Sequence, residues 1–235
     1  MDILAEEQVK TVFTSAGDPS KWTAFLKEHD MKVVHVIANI KFAQKAEQSG
    51  VDAVVAEGFE AGGHNGREET TTLCLVPEIC QAVSVPVIAA GGIGSGKAML
   101  AAIALGAEAV QVGSLFAASL ESSAHNNFKN AMVNAKEGDT KLSMKSLIPV
   151  RLMKNEFFRQ VEKAEADGAS RSDLMALLGR GRAKLGMFEG NVEDGELEIG
   201  QIASTIHEIK PAAQILQEIW DEFIAEKARI SKLTF

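Results

Sequence analysis

The densest group of chemically able residues in this chain is Glu57-Gly-Phe-Glu-Ala-Gly-Gly-His64-Asn-Gly66, directly after a short apolar run. Four glycines among these ten residues let the backbone approach a ligand and turn N–H groups toward it. His64 is the side-chain type best suited to moving protons near neutral pH. A lone histidine is more often an incidental surface residue. Adjacent glycines at the carboxyl end of a strand shift the balance toward chemistry here.

Two further apolar runs end in glycine-bearing turns, Ala89-Ala-Gly91-Gly92-Ile93 and Gln111-Val-Gly113-Ser114, each followed by a helical pattern. Paired turns of this kind form phosphate sites at the ends of barrel strands, with backbone N–H groups facing the anion and a hydroxyl such as that of Ser114 adding a donor. Gly91–Lys97 (GGIGSGK) imitates a nucleotide-binding P-loop, but Ala98 stands where the metal-binding hydroxyl belongs, so an NTPase is rejected. Ser15 and Asn39 share the same rim, with turn or capping roles equally open to them. His125 and His207 read as surface or capping residues, and His35, inside a strand, as packed.

Five apolar runs supply these loops: Val9–Thr14, Val33–Ala38, Ala53–Glu57, Val85–Ala90 and Ala109–Gly113. Each is apolar on consecutive residues, as a strand covered on both faces requires. Ser20–Glu28, Lys41–Ser49, Pro77–Val83 and Gly96–Leu105 read as the intervening helices, which makes βαβ units and a parallel sheet. Met1–Gln8 reads as the last turns of a helix entering the first strand. Beyond Phe116 the pattern becomes helical, and the helix from Pro211 carries an apolar stripe of Ala212, Ile215, Leu216, Ile219, Trp220, Phe223 and Ile224. Five parallel strands do not close a barrel, and pattern alone also allows an open doubly wound sheet.

Composition excludes several partners. The net charge of −8 over 235 residues disfavours a sequence-independent grip on nucleic acid. No apolar run is long enough to cross a bilayer and no signal peptide is read, so a cytoplasmic location is expected. Cys74 and Cys80, without a nearby histidine, suggest buried thiols and no metal set.

The blocks EAGGHNG, VPVIAAGGI, LGAEAVQVGS and GQIASTIHEIKPA, in this order, resemble the nitronate monooxygenase (2-nitropropane dioxygenase) family, which includes the type II enoyl-ACP reductases. The resemblance implies an FMN-binding (β/α)8 barrel of TIM type with a helical lid. Residues 1–135 would hold strands four to eight, 136–200 the lid and 201–235 the C-terminal helices, while roughly the first three βα units of the family barrel have no counterpart. Carried over, Ala61, Gly62 and Gly63 would touch the flavin or its phosphate, and Gly91, Gly92, Gly113 and Ser114 would hold the phosphate. Glu57 and Gln111 would line the cofactor, and His64 would be the proton handler beside its ring. Ser114 stands where a threonine is common in the family. The family's further flavin contacts, a glycine-containing loop after its first strand and an asparagine on a later strand, are not matched here, so weak FMN binding and exposed sheet edges are expected.

Two activities follow from that resemblance: NADH- or NADPH-dependent reduction of an enoyl thioester on acyl carrier protein, toward which HNGREETTTL and GQIA lean, or oxidation of a nitronate with oxygen. A homodimer is allowed for. An inactive fragment and a flavin-free phosphate-substrate lyase or isomerase are the alternatives, the latter weakened by the lack of a rim lysine or paired carboxylates.

Overall fold

The computed structural model describes residues 1–234. Its elements are α1 (Asp2–Glu6), β1 (Thr11–Thr14), α2 (Ser20–Glu28), β2 (Lys32–Ile37), α3 (Ile40–Gln48), β3 (Ala53–Glu57), β4 (Gly63–His64), α4 (Thr72–Ala82), β5 (Val87–Ala90), α5 (Gly96–Ala104) and β6 (Ala109–Gln111). There follow α6 (Ser114–Ala117), α7 (Asn126–Val133), β7 (Thr140–Ser143), β8 (Val150–Met153), α8 (Glu156–Ala166), α9 (Arg171–Leu178) and α10 (Ala212–Ile230).

The main sheet has strand order β1-β2-β3-β5-β6, every pair parallel. The order follows the chain without reversal, which excludes a doubly wound sheet, whose order reverses at a switch point. It is an arc of a barrel. Alternation decides the faces: Val33, Ile37, Val54, Ala56, Val87 and Ala89 join the core with the helices, while Val34, Ala53, Val55 and Ala90 form a separate small cluster on the other, concave face. Both edges are less covered; Phe13 on β1 is 53% exposed and Ala109 on β6 is exposed.

Three expectations are corrected. Residues 136–200 are not simply helical: β7 and β8 form an antiparallel hairpin that takes β4 as its third strand. Leu142 and Ser143 of β7 are both buried, and β8 buries Arg151 among its apolar residues, so neither strand shows a clean apolar alternation. Helix α4 starts at Thr72, not Pro77. The proline N–H is missing inside the helix, and the carbonyl it would have met is that of the exposed Leu73 in the first turn. Cys74 is exposed and Cys80 half-buried, so only the latter fits the buried-thiol reading.

Helix α10 lies across the start of α5. A Cβ on Gly96 would stand 2.2 Å from the Phe223 nitrogen and 2.4 Å from the Ile219 oxygen, so only glycine permits the contact. Ile215 and Phe223 are buried there, while Leu216, Trp220 and Ile224 of the predicted stripe face outward. The Glu222 carboxylate accepts the Gly96 N–H at 2.7 Å. That occupies the helix start an NTPase would offer to phosphate. No described helix is long and apolar enough to cross a membrane.

Candidate active site

Eight of the predicted residues converge. Glu57, Ala61, Gly62, Gly91, Gly92, Gln111, Gly113 and Ser114, from the ends of β3, β5 and β6, line one pocket of about 90 Å³. His64 lines a neighbouring cleft of about 380 Å³, and Glu57 lines both. Gly63 is on neither wall; it is buried, and a Cβ there would stand 2.6 Å from a Glu198 carboxylate oxygen.

The glycines differ in what excludes a side chain. At Gly62 the obstacle is protein main chain, since a Cβ would lie 2.4 Å from the Ile199 carbonyl carbon and 2.5 Å from the Gly200 nitrogen. Gly91 and Gly92 take φ of 90° and 70°, a conformation other residues rarely adopt. At Gly113 nothing lies within 4 Å of a Cβ. Among the described residues, no acceptor takes the main-chain N–H of Gly91, Gly92, Gly113 or Ser114. Those donors are available to an anion.

Ser114 is already engaged on one side: its hydroxyl oxygen accepts the Gly200 N–H at 3.1 Å, leaving its proton to donate. The Gln201 N–H donates to the Glu60 carbonyl at 2.9 Å. The segment 199–202 therefore latches onto the glycine loop and contributes Gly200 and Ile202 to the pocket. The GQIA block carried this signal, but its place in the pocket needs the fold.

Glu57 ends β3, and its carboxylate has no hydrogen-bond partner among the described residues. Burial pushes it up to about 7, because an unpaired carboxylate is poorly solvated there. His64 is not at a free loop tip. It pairs in β4 with Val150 of β8, while Gly63 pairs with Arg151, and its side chain is exposed to the cleft. Burial raises the Glu198 carboxyl above its ordinary value, against the pull of the His64 imidazole. Arg151 is 1% exposed; its Nη2 and Nε donate to the Phe59 carbonyl at 2.7 and 3.2 Å, and the guanidinium stacks 4.4 Å from the Phe59 ring centroid. This fixes the root of the loop.

The hairpin builds the far wall of the cleft through Ile148 and Pro149. Arg67 holds it, donating to the carbonyls of Leu147 at 2.6 Å and Lys145 at 3.2 Å. The minor candidates divide. Asn39 caps α3 by accepting the Phe42 N–H at 2.9 Å, and His125 caps α7 by accepting the Asn127 N–H at 3.1 Å. His207 is exposed. Ser15 and His35 line the cleft, although His35 is buried, with Nδ1 2.7 Å from the Thr14 hydroxyl. Burial lowers the His35 pKa.

Solved structures share this fold. FabK from Thermotoga maritima superposes with a TM-score of 0.92 at 40% identity, over 98% of this chain and 73% of that one. A nitroalkane oxidase from Streptomyces ansochromogenes gives 0.81 at 26% identity, over 97% and 68%. Fold and superposition together define an arc of a TIM-type barrel. The nitronate monooxygenase family model matches residues 1–222, and the chain belongs to that family. A probable nitronate monooxygenase of Staphylococcus aureus (strain MSSA476) is 37% identical over 177 residues, 71% of this chain and 50% of the relative. The chain thus spans about half the length of the curated relatives it matches.

Proposed function

We propose that this chain binds FMN and acts as an NADH- or NADPH-dependent reductase of enoyl thioesters carried on acyl carrier protein, in the cytoplasm. The observation that carries the reading is the convergence of three glycine-bearing strand ends on one pocket that shares Glu57 with the His64 cleft. The residues fit the group. The unpaired N–H groups of Gly91, Gly92, Gly113 and Ser114 suit its phosphate, and Gly113 leaves open space where a side chain would intrude. Ala61, Gly62 and Gln111 form the wall.

Bound FMN supplies the two-electron redox chemistry. The protein's own part is position and proton handling. His64, on the cleft, delivers a proton to the substrate α-carbon, and Glu57 offers a neutral carboxyl as a hydrogen-bond donor at the junction. The preference for this branch is supported by greater likeness to the enoyl-ACP reductase FabK than to the nitroalkane oxidase, in both identity and superposition.

A second reading has its own support, because the family model and the curated relatives carry the name nitronate monooxygenase. In that reaction His64 would remove the α-proton of a nitroalkane. One experiment separates them: the purified protein is mixed with FMN, its visible spectrum recorded, and NADH consumption with crotonyl thioester compared with oxygen uptake on a nitronate. Thioester-dependent NADH oxidation supports the reductase, and nitronate-dependent oxygen uptake alone overturns it.

A further inference from the structure

We propose that Thr72 and Glu60 are a positioning pair that clamps two glycine loops of the cofactor pocket together. The inference rests on the flavin reading and adds residues that the sequence did not single out. Thr72 is 8% exposed and opens α4. The preceding Thr71, at the cap position, makes no side-chain bond to the helix. Glu60 takes that role from outside. Its carboxylate accepts the Thr72 N–H at 2.9 and 3.2 Å and lies 2.9 Å from the Thr72 hydroxyl. A carboxylate at this end of an eleven-residue helix also meets the positive end of its dipole.

The same hydroxyl lies 2.9 Å from the Gly91 carbonyl oxygen and 3.2 Å from that of Ala90. Its single proton serves one of these acceptors at a time. Packing leaves no slack around it. A Cβ on Gly58 would stand 2.1 Å from the Thr72 hydroxyl oxygen, and one on Gly91 would stand 2.8 Å from the Gly58 carbonyl oxygen. The loop bearing Ala61 and Gly62, the loop bearing Gly91 and Gly92, and the first turn of α4 therefore meet at one oxygen atom. A main-chain bond from the Gly58 N–H to the Ala90 carbonyl, 2.9 Å long, joins the two loops beside it.

The test compares Thr72→Val, which keeps the volume and removes the donor, with Thr72→Ser, which keeps the donor. FMN is titrated into each full chain, and amide hydrogen exchange is followed at Gly58 without FMN. The valine variant is expected to weaken FMN binding by about tenfold or more and to speed exchange at Gly58, with serine restoring both. Wild-type exchange and affinity in the valine variant, or equal damage in both variants, overturns the pair. If the valine variant does not fold, Glu60→Gln decides: faster Gly58 exchange supports the clamp, and unchanged exchange overturns it. A wild-type chain that takes up no FMN sinks the flavin reading, while exchange in the ligand-free variants still judges the clamp.

Discussion

Glu57 and Gln111 stand level with each other across the parallel sheet, each registered on Ala90 of the strand between them. Both line the small pocket. One is a carboxyl without a protein partner, and its protonation therefore reports on the pocket.

The first prediction concerns pH. The Glu57 carboxyl is raised to about 7 by burial, so the folded state favours the protonated form. Stability tied to this group is present below the ordinary carboxyl range and is lost as pH rises toward 7. Glu57→Gln is expected to gain roughly 1–3 kcal/mol over wild type at pH 8 relative to pH 4. Denaturant melts of the flavin-free protein at both pH values check it. Glu196, also raised to about 7 by burial, keeps some pH dependence in the variant.

Two glycines should part company. Gly62→Ala drives a methyl into the main chain of Ile199 and Gly200, where no side-chain rotation relieves it, and a loss of about 1–3 kcal/mol is expected. Gly113→Ala meets nothing and should cost under about 1 kcal/mol, yet weaken FMN binding. Thermal melts beside flavin titrations read the difference; equal FMN affinity in Gly113→Ala and wild type would remove this position from the proposed cradle.

His64→Ala is expected to keep FMN binding while turnover falls by roughly 10²- to 10⁴-fold, since the imidazole faces the larger cleft and not the small pocket. Steady-state kinetics at several pH values test it. Unchanged turnover would contradict the assigned role.

Arg67→Ala frees the carbonyls of Lys145 and Leu147 and so loosens the wall made by Ile148 and Pro149. The expected result is a raised KM with little change in FMN affinity. A variant with wild-type KM would show that the hairpin does not shape the substrate side.

The parallel half of the fold was legible because strand and helix chemistry there is local. Ala53–Glu57 and Ser20–Glu28 keep their predicted bounds, each set by a clear apolar or amphipathic pattern. The hairpin escaped because β8 places a buried arginine among its apolar residues, and that arginine is accommodated by the carbonyl and ring of the distant Phe59. Turn chemistry singled out His64, the glycine turns and Ser114, while Glu57, Ala61 and Gln111 came from the family resemblance, and the packing reasons differ from those expected. Gly62 read as room for a ligand, whereas Ile199 and Gly200 fill the space. Thr72, inside a run of three threonines, gave no local sign of the two loops it joins.

His64 belongs to a strand of the small antiparallel sheet, whereas Glu57 and the glycine turns hang from the ends of the parallel one. The proposed cofactor cradle and the proposed proton handler are thus mounted on different pieces of framework. Substitutions along residues 140–153 would therefore reach the imidazole through the pairing of β4 with β8, by a route separate from the strand ends that carry the glycine turns.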